Sequence, residues 1–498
     1  MMRYGGTIAL TLVAVLLAPA VAQERAGRGG APTVKAETSI LRLLPADSVT
    51  EHTVETVVGS LSYTATAGTL PLYDQSGEQS AAIFYTAYVK KGADPSTRPL
   101  TFVFNGGPGA ASAFLHLGLV GPRIVDFGEA AGGAATPRIR DNPHTWLEFT
   151  DLVMIDPIGA GWSRPAKPDG GKAFWGVRND AQVIAKAIAL YVARNSRTSS
   201  PKYLLGESYG GFRAAKVARA IQQDQGIVIA GIVMVSPMLE GQLQFGGKNF
   251  ALGAALTLPS LIATELERKN ADTPEAIAAG ERFSLTEYLT TLANPQMLDE
   301  TARSIFYRRL AEMTGLPLDV VMRSRGFVHD DYVKHHRARD GKIVSRYDAT
   351  HAVIDPFPES GGARGPDPGL DGFIRALGSA FVGYARDELK FKTDITYVLI
   401  ASDIAGNWDW GSRRSSPGVS NDLRVLLAFD PSFRLLVMHG RSDLVTPYAV
   451  SRYVLDYLPP DTASRRQLKV YRGGHMLYLD DGPRKTMTED ARAFYRRP

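Results

Sequence analysis

A mostly parallel β-sheet flanked by helices, interrupted by a helical insertion, is the fold class that this sequence predicts. Three observations lead there. Short apolar runs at Leu100–Phe104, Asp151–Ile155, 202–205 and 227–235 each end in turn-forming residues, as strands buried on both faces do. Helical patterns such as 179–194 and 212–222 fall between the later runs, and strands alternating with helices need a sheet covered on both sides. After Ser236-Pro237 the chain turns mostly helical until about residue 415, and strand patterns return at 435–439 and 469–471. One sheet domain carrying an inserted helical cap accounts for all three.

The elements follow in order. Residues 1–22 read as a secretion signal: Arg3 near the start, an apolar stretch at 7–18 too short to span a bilayer, and Ala20-Val21-Ala22 before a cleavage at Gln23. Residues 23–50 read as a lead-in, flexible and rich in Gly, Ala, Arg and Pro in its first part. Strand patterns at 52–58, 60–67 and 81–89 open the first part of the sheet domain, placed at 51–240. The cap is placed at 241–415 and the second part of the sheet domain at 416–498. A protein exported to the periplasm or the medium, with no membrane attachment after signal removal, is the expectation.

Composition narrows the function classes. With 498 residues, 44% apolar and 21% charged, the chain is an ordinary globular one, not a disordered one. Its net charge of +5 is scattered. The densest basic cluster, Lys334 to Arg339 with His335 and His336, lacks interleaved aromatics and reads as a solvated face, so no nucleic-acid partner is expected. The chain has no cysteine, which removes disulfides, cysteine nucleophiles and thiolate metal sites. Its histidines lack metal-ligand spacing, so neither a metal nor a cofactor is expected. The sequence leaves the oligomeric state open.

The chemistry concentrates in three turns. Gly206-Glu207-Ser208-Tyr209-Gly210 follows an apolar strand and precedes a helix, the context of a Gly-x-Ser-x-Gly nucleophile elbow. Such an elbow belongs to the α/β-hydrolase fold, lifts the Ser208 hydroxyl above the sheet, and predicts partners in the order Ser, acid, His. Asp443 lies just past the strand pattern 435–438 and His475 just past 469–471, where a parallel sheet presents such groups. A seryl hydroxyl is a poor nucleophile at neutral pH; His475 takes its proton and Asp443 holds the imidazole. Asn105-Gly106-Gly107-Pro108-Gly109 follows another strand pattern, and its Gly107 N–H with that of Tyr209 would form an oxyanion hole. His439 reads as a packed or hydrogen-bonded residue.

These motifs together resemble the serine carboxypeptidase family. The resemblance runs from about Leu100 to Pro483 and is weak through the cap. It is carried by Asn105 to Gly109, Asn142-Pro143-His144-Thr145-Trp146, Ile155-Asp156-Pro157-Ile158-Gly159-Ala160-Gly161-Trp162-Ser163, Gly206 to Gly211, Gly440 to Pro447, and Gly474-His475-Met476. It implies an exopeptidase that removes C-terminal residues. In the family, Asn105 and Glu207 match positions that bind the substrate's terminal carboxylate beside the Gly106 loop, and Met476 matches a position lining the pocket for the departing residue.

The chain also departs from the family. Leu119 stands where a second carboxylate-binding Glu is expected, so Glu207 is expected to ionise at lower pH. Val103 replaces a Trp, and the family's disulfides are absent. Arg123 is a candidate substitute that binds a carboxylate by charge. Trp408 and Trp410 are candidates for the cleft wall, with packing between cap and sheet as the alternative. A triad-dependent esterase or acyltransferase is the competing reading, and a non-catalytic binding protein of hydrolase fold is the third.

Overall fold

The computed structural model describes residues 39–127, 137–246, 250–411 and 417–496. The expected signal at 1–22 and residues 23–38 of the lead-in lie outside them.

Strands β1 (Ser48–Thr56), β2 (Gly59–Tyr73) and β3 (Gln79–Lys90) form an antiparallel meander at one side of the sheet. Strand β4 (Leu100–Phe104) follows, and β5 (Arg123–Asp126) pairs with β6 (Arg138–Asp141) in a separate ribbon. Next come β7 (Asp151–Ile155), the short β8 (Arg164–Pro165) on the side of β3, β9 (Lys202–Glu207) and β10 (Gly231–Val235). The insertion holds the hairpin β11 (Lys342–Val344) and β12 (Ala352–Ile354). Strands β13 (Arg434–Gly440) and β14 (Arg466–Tyr471) complete the main sheet, ordered β1-β2-β3-β7-β4-β9-β10-β13-β14. From β7 to β14 every neighbour is parallel.

Every residue of β4, β7, β9 and β10 is buried, which is why these strands read as continuous rather than alternating apolar runs. Their side chains divide between two cores. Val103, Leu205, Val233 and Leu436 pack with Met487 and Phe494 of the helix Asp481–Arg496. Phe102, Leu204, Ile232 and Leu435 pack with the helices Val177–Arg194, Tyr209–Gln225 and Ser420–Phe429. Because β9, β13 and β14 run parallel, the turns that follow them emerge at the same edge of the sheet.

Four expectations need correction. The insertion at 241–415 is not one cap. Helices within 251–335 build a core of their own around Leu258, Leu261, Phe306, Leu310 and Tyr332. The helix Pro368–Asp387 instead returns to the sheet, where Leu377, Phe381 and Tyr384 join the main core. Residues 39–50 of the lead-in are held in place: the Ser39 side chain caps a helical turn at Ile40–Leu43, and Asp47 accepts from Tyr85 Oη at 3.0 Å and Thr69 N at 3.0 Å. The strand expected at 227–235 begins at Gly231, because the helix before it ends at a left-handed Gly226 and residues 227–230 make the link. The 334–339 cluster is not simply a solvated face. Lys334 is buried against Asp355 at 2.5 Å, and His336 meets Glu265 at 3.0 Å. Among the described residues no helix is long and apolar enough to cross a membrane.

Candidate active site

Strand β9 ends at Glu207, and Ser208 turns the chain sharply into the helix Tyr209–Gln225 with φ 59° and ψ −125°. A non-glycine residue in that region is strained, and the flanking backbone holds it there. Ser208 N donates to Val235 O at 2.9 Å, while Ser208 O accepts from Gly211 N and Met238 N, each at 3.0 Å. The glycines are steric necessities. A Cβ on Gly206 would collide with the Gly210 carbonyl, and one on Gly210 would come within 2.6 Å of Phe104 O. Gly206→Ala is therefore expected to destabilise the protein by about 1–3 kcal/mol. Denaturant unfolding checks this, and an unchanged midpoint would mean that the elbow has slack.

The acid and base turns lie against each other. Gly440 at the end of β13 has no room for a Cβ beside Gly474, so the two turns touch through backbone. His475 Nδ1 lies 2.8 Å from Asp443 Oδ2, and both residues are buried. The Thr446 hydroxyl is 2.7 Å from the same oxygen and 2.9 Å from Ser236 O. Asp443 Oδ1 accepts from Val445 N at 2.8 Å and Thr446 N at 3.0 Å. Burial opposes the Asp443 charge, but the His475 charge and these hydrogen bonds outweigh it and hold the carboxyl below its usual range. Burial likewise opposes the imidazolium of His475, yet the charge and hydrogen bond of Asp443, joined by Glu207, raise it above its usual value. With Nδ1 taken by Asp443, Nε2 is the nitrogen left for Ser208.

Ser208 and His475 line one cleft together with Asn105, Gly106, Gly107, Glu207, Tyr209 and Met476. Of the residues assigned from the sequence to the triad, the oxyanion hole and substrate binding, all except Asp443 line it, and Asp443 stands behind His475. Gly106 lies so close to the elbow that a Cβ there would come within 2.6 Å of Tyr209 N. Among the described residues neither Gly107 N nor Tyr209 N donates to another protein group. Both are free to meet an oxyanion at the positive end of the Tyr209–Gln225 helix.

Glu207 is buried in this cleft. Tyr478 Oη donates to its Oε1 at 2.7 Å, and Asn105 Nδ2 donates to Oε2. Burial pushes its carboxyl up to about 7, against the charge of His475 and the two hydrogen bonds. Desolvation therefore keeps Glu207 protonated below about 7 even without a second Glu. Leu119 is fully buried in the main core. Arg123 does not substitute for the missing carboxyl, because it pairs with Asp141 and with Glu388 at 2.9 Å, away from the cleft. Trp410 lines the cleft, whereas Trp408 packs edge-on to Tyr209 at 5.4 Å. His439 bonds Ser451 Oγ at 2.7 Å, and burial pushes it down to about 4.

Sequence reasoning missed four contributors. Thr446 and Tyr478 each lie three residues after a triad member, on the turns that follow Asp443 and His475, and that spacing could have flagged them. Ser236 Oγ holds the His475 carbonyl at 2.8 Å. Tyr347 comes from the insertion: its carbonyl accepts from His475 N at 2.5 Å, and its ring stands edge-on to the imidazole at 5.2 Å. No local signal marks it.

Sheet topology and site geometry define a serine hydrolase of the α/β-hydrolase fold. Residues 61–267 match the family model described as serine carboxypeptidase, a segment that includes Ser208 but neither Asp443 nor His475. Over that segment the chain is similar to the serine carboxypeptidase family. Among curated proteins, serine carboxypeptidase S10 family member 1 of Dictyostelium discoideum is 25% identical over 173 residues, covering 34% of this chain and 39% of that protein. Serine carboxypeptidase-like 33 of Arabidopsis thaliana is 25% identical over 179 residues, covering 33% and 35%. The chain thus spans little more than a third of the length of these relatives. A solved proline iminopeptidase of Mycobacterium smegmatis aligns over 86% of this chain and 97% of its own, at 16% identity and a TM-score of 0.39.

Proposed function

We propose that this protein is an exported serine-type carboxypeptidase that releases C-terminal residues from short peptides through an acyl-enzyme on Ser208. The observation that carries this reading is Glu207. It is a buried carboxyl, neutral up to about pH 7, bonded to Asn105 and lining the cleft beside the nucleophile. A neutral carboxyl can donate a hydrogen bond to a substrate's terminal carboxylate, whereas an ionised one would repel it. Ser208 attacks the last peptide carbonyl as His475 takes its proton. The tetrahedral oxyanion sits between the N–H groups of Gly107 and Tyr209. His475 then protonates the departing amine, and water resolves the ester. Phe245, Tyr347, Leu370, Ile400 and Trp410, all from the insertion, wall the cleft and favour short chains.

The second reading is an esterase or acyltransferase without strict recognition of a C-terminal carboxylate. It is favoured by the cleft lining, whose one acid is Glu207. Mass spectrometry of matched peptides with free and amidated C-termini separates the two. Stepwise loss from free termini alone supports the carboxypeptidase. Equal cleavage of both, or turnover of esters with peptides inert, supports the second reading.

The ionisations give a further expected result. His475 must be neutral to act as base, so activity rises with pH through its elevated value. Glu207 must stay protonated to hold a carboxylate, so kcat/KM for free-terminus peptides falls again as pH rises through about 7. Esters lacking a carboxylate should show the rising limb only. Glu207→Gln should remove the falling limb for peptides. Glu207→Ala should raise their KM by about 10- to 100-fold, the worth of one hydrogen bond to a charged group. An unaltered alkaline limb in Glu207→Gln would place that ionisation elsewhere.

A further inference from the structure

Behind the cleft lies a charge that the mechanism above does not use. Arg213, one turn into the helix Tyr209–Gln225, is 1% exposed and does not line the cleft. Burying a guanidinium is costly unless its donors find partners. Its Nε donates at 2.6 Å to Oδ2 of Asp180, itself buried in the helix Val177–Arg194. Its Nη1 donates to the carbonyl oxygen of Asn105. Its Cζ lies over the Tyr209 ring, 5.1 Å from the centroid. One side chain thus touches both segments that present the Gly107 and Tyr209 N–H groups.

We propose that Arg213, held by Asp180, is the positioning residue of the oxyanion hole. The geometry explains how. Peptide units are planar, so fixing a carbonyl fixes the direction of the N–H that follows it. Arg213 fixes Asn105 O, and Ala110 N fixes Gly106 O at 3.1 Å. The two peptide planes that lead to Gly107 N–H are therefore pinned in succession. Its contact with the face of the Tyr209 ring ties the same guanidinium to the second donor segment. Nη2 has no partner among the described residues, so both of its N–H groups are left uncommitted. A displacement of about 1 Å in a reacting geometry costs about 100-fold in rate, which is the lever this contact controls.

The inference rests on the acyl-transfer reading but not on recognition of a terminal carboxylate. It is therefore tested with p-nitrophenyl acetate and with a fluorophosphonate ester, neither of which carries one. Two variants are compared with wild type. Arg213→Lys keeps a charge for Asp180 but loses the planar fork that also reaches Asn105. The paired change Arg213→Leu with Asp180→Leu removes both charges and leaves neither unpartnered. The expected result in each is a kcat lowered by about 10- to 100-fold with KM unchanged, and fluorophosphonate labelling slowed in parallel. A folded paired variant with wild-type kcat and an altered Tm would reduce Arg213 to a tie between two helices and overturn the proposal. If the paired variant does not fold, wild-type kcat in Arg213→Lys overturns it equally. A wild-type enzyme that neither turns over the ester nor takes the label would instead defeat the acyl-transfer reading, and this inference with it.

Discussion

Ser208→Ala is expected to lower kcat by about 10⁴- to 10⁶-fold on peptides and activated esters alike, the loss that follows when a covalent nucleophile is removed. Folding should be unaffected. The Ser208 side chain caps no helix, and its backbone bonds to Val235, Gly211 and Met238 do not depend on the hydroxyl. Alanine also faces the same strained φ as serine, so the elbow has no new reason to relax. Substrate binding should survive, since Asn105, Glu207 and Met476 are unchanged. Steady-state kinetics with a matched Tm measurement checks this. Residual activity within about tenfold of wild type would mean that another group attacks, because the surviving oxyanion donors supply only about 10³- to 10⁴-fold over water.

Asp443→Asn is the second large effect, with an expected loss of about 10⁴-fold in kcat. The reason lies in the partners. Four donors point at this carboxylate: Val445 N, Thr446 N, the Thr446 hydroxyl and His475 Nδ1. An asparagine must set its NH₂ against one pair of them. If the amide nitrogen faces His475, the imidazole takes the tautomer with its proton on Nε2 and cannot accept one from Ser208. If it faces the two backbone N–H groups, a buried donor is left unsatisfied and stability falls by about 1–3 kcal/mol. The variant should therefore lose rate, stability or both, with KM little altered. A wild-type kcat would show that Asp443 does not orient the base.

The site was legible where local covalent geometry dictates sequence. Ser208 needs glycine at 206 and 210 because the turn leaves no room for a Cβ, and that constraint is written as a motif. Strands β4, β7 and β10 were legible because burial on both faces demands unbroken apolar runs. What could not be read depends on contacts between distant segments. The helix Pro368–Asp387 carries an apolar face, but nothing local says whether that face meets the insertion's core or the sheet. Arg213 sits one turn into its helix, where arginine is ordinarily solvated, and its burial is tolerable because Asp180 on another helix and the Asn105 carbonyl accept from it. The state of Glu207 follows from desolvation by the whole cleft, which no local sequence pattern records. Tyr347 reaches His475 from the insertion, more than a hundred residues earlier in the chain.

If Ser208 is the single activated nucleophile of this chain, a phosphonylating probe should mark it alone. Incubation with a fluorophosphonate ester followed by peptide mapping tests this most directly. The predicted result is one adduct per chain, on Ser208, absent in Ser208→Ala and much slower to form in Asp443→Asn. An adduct on another residue, or none in the folded wild-type protein, would contradict it.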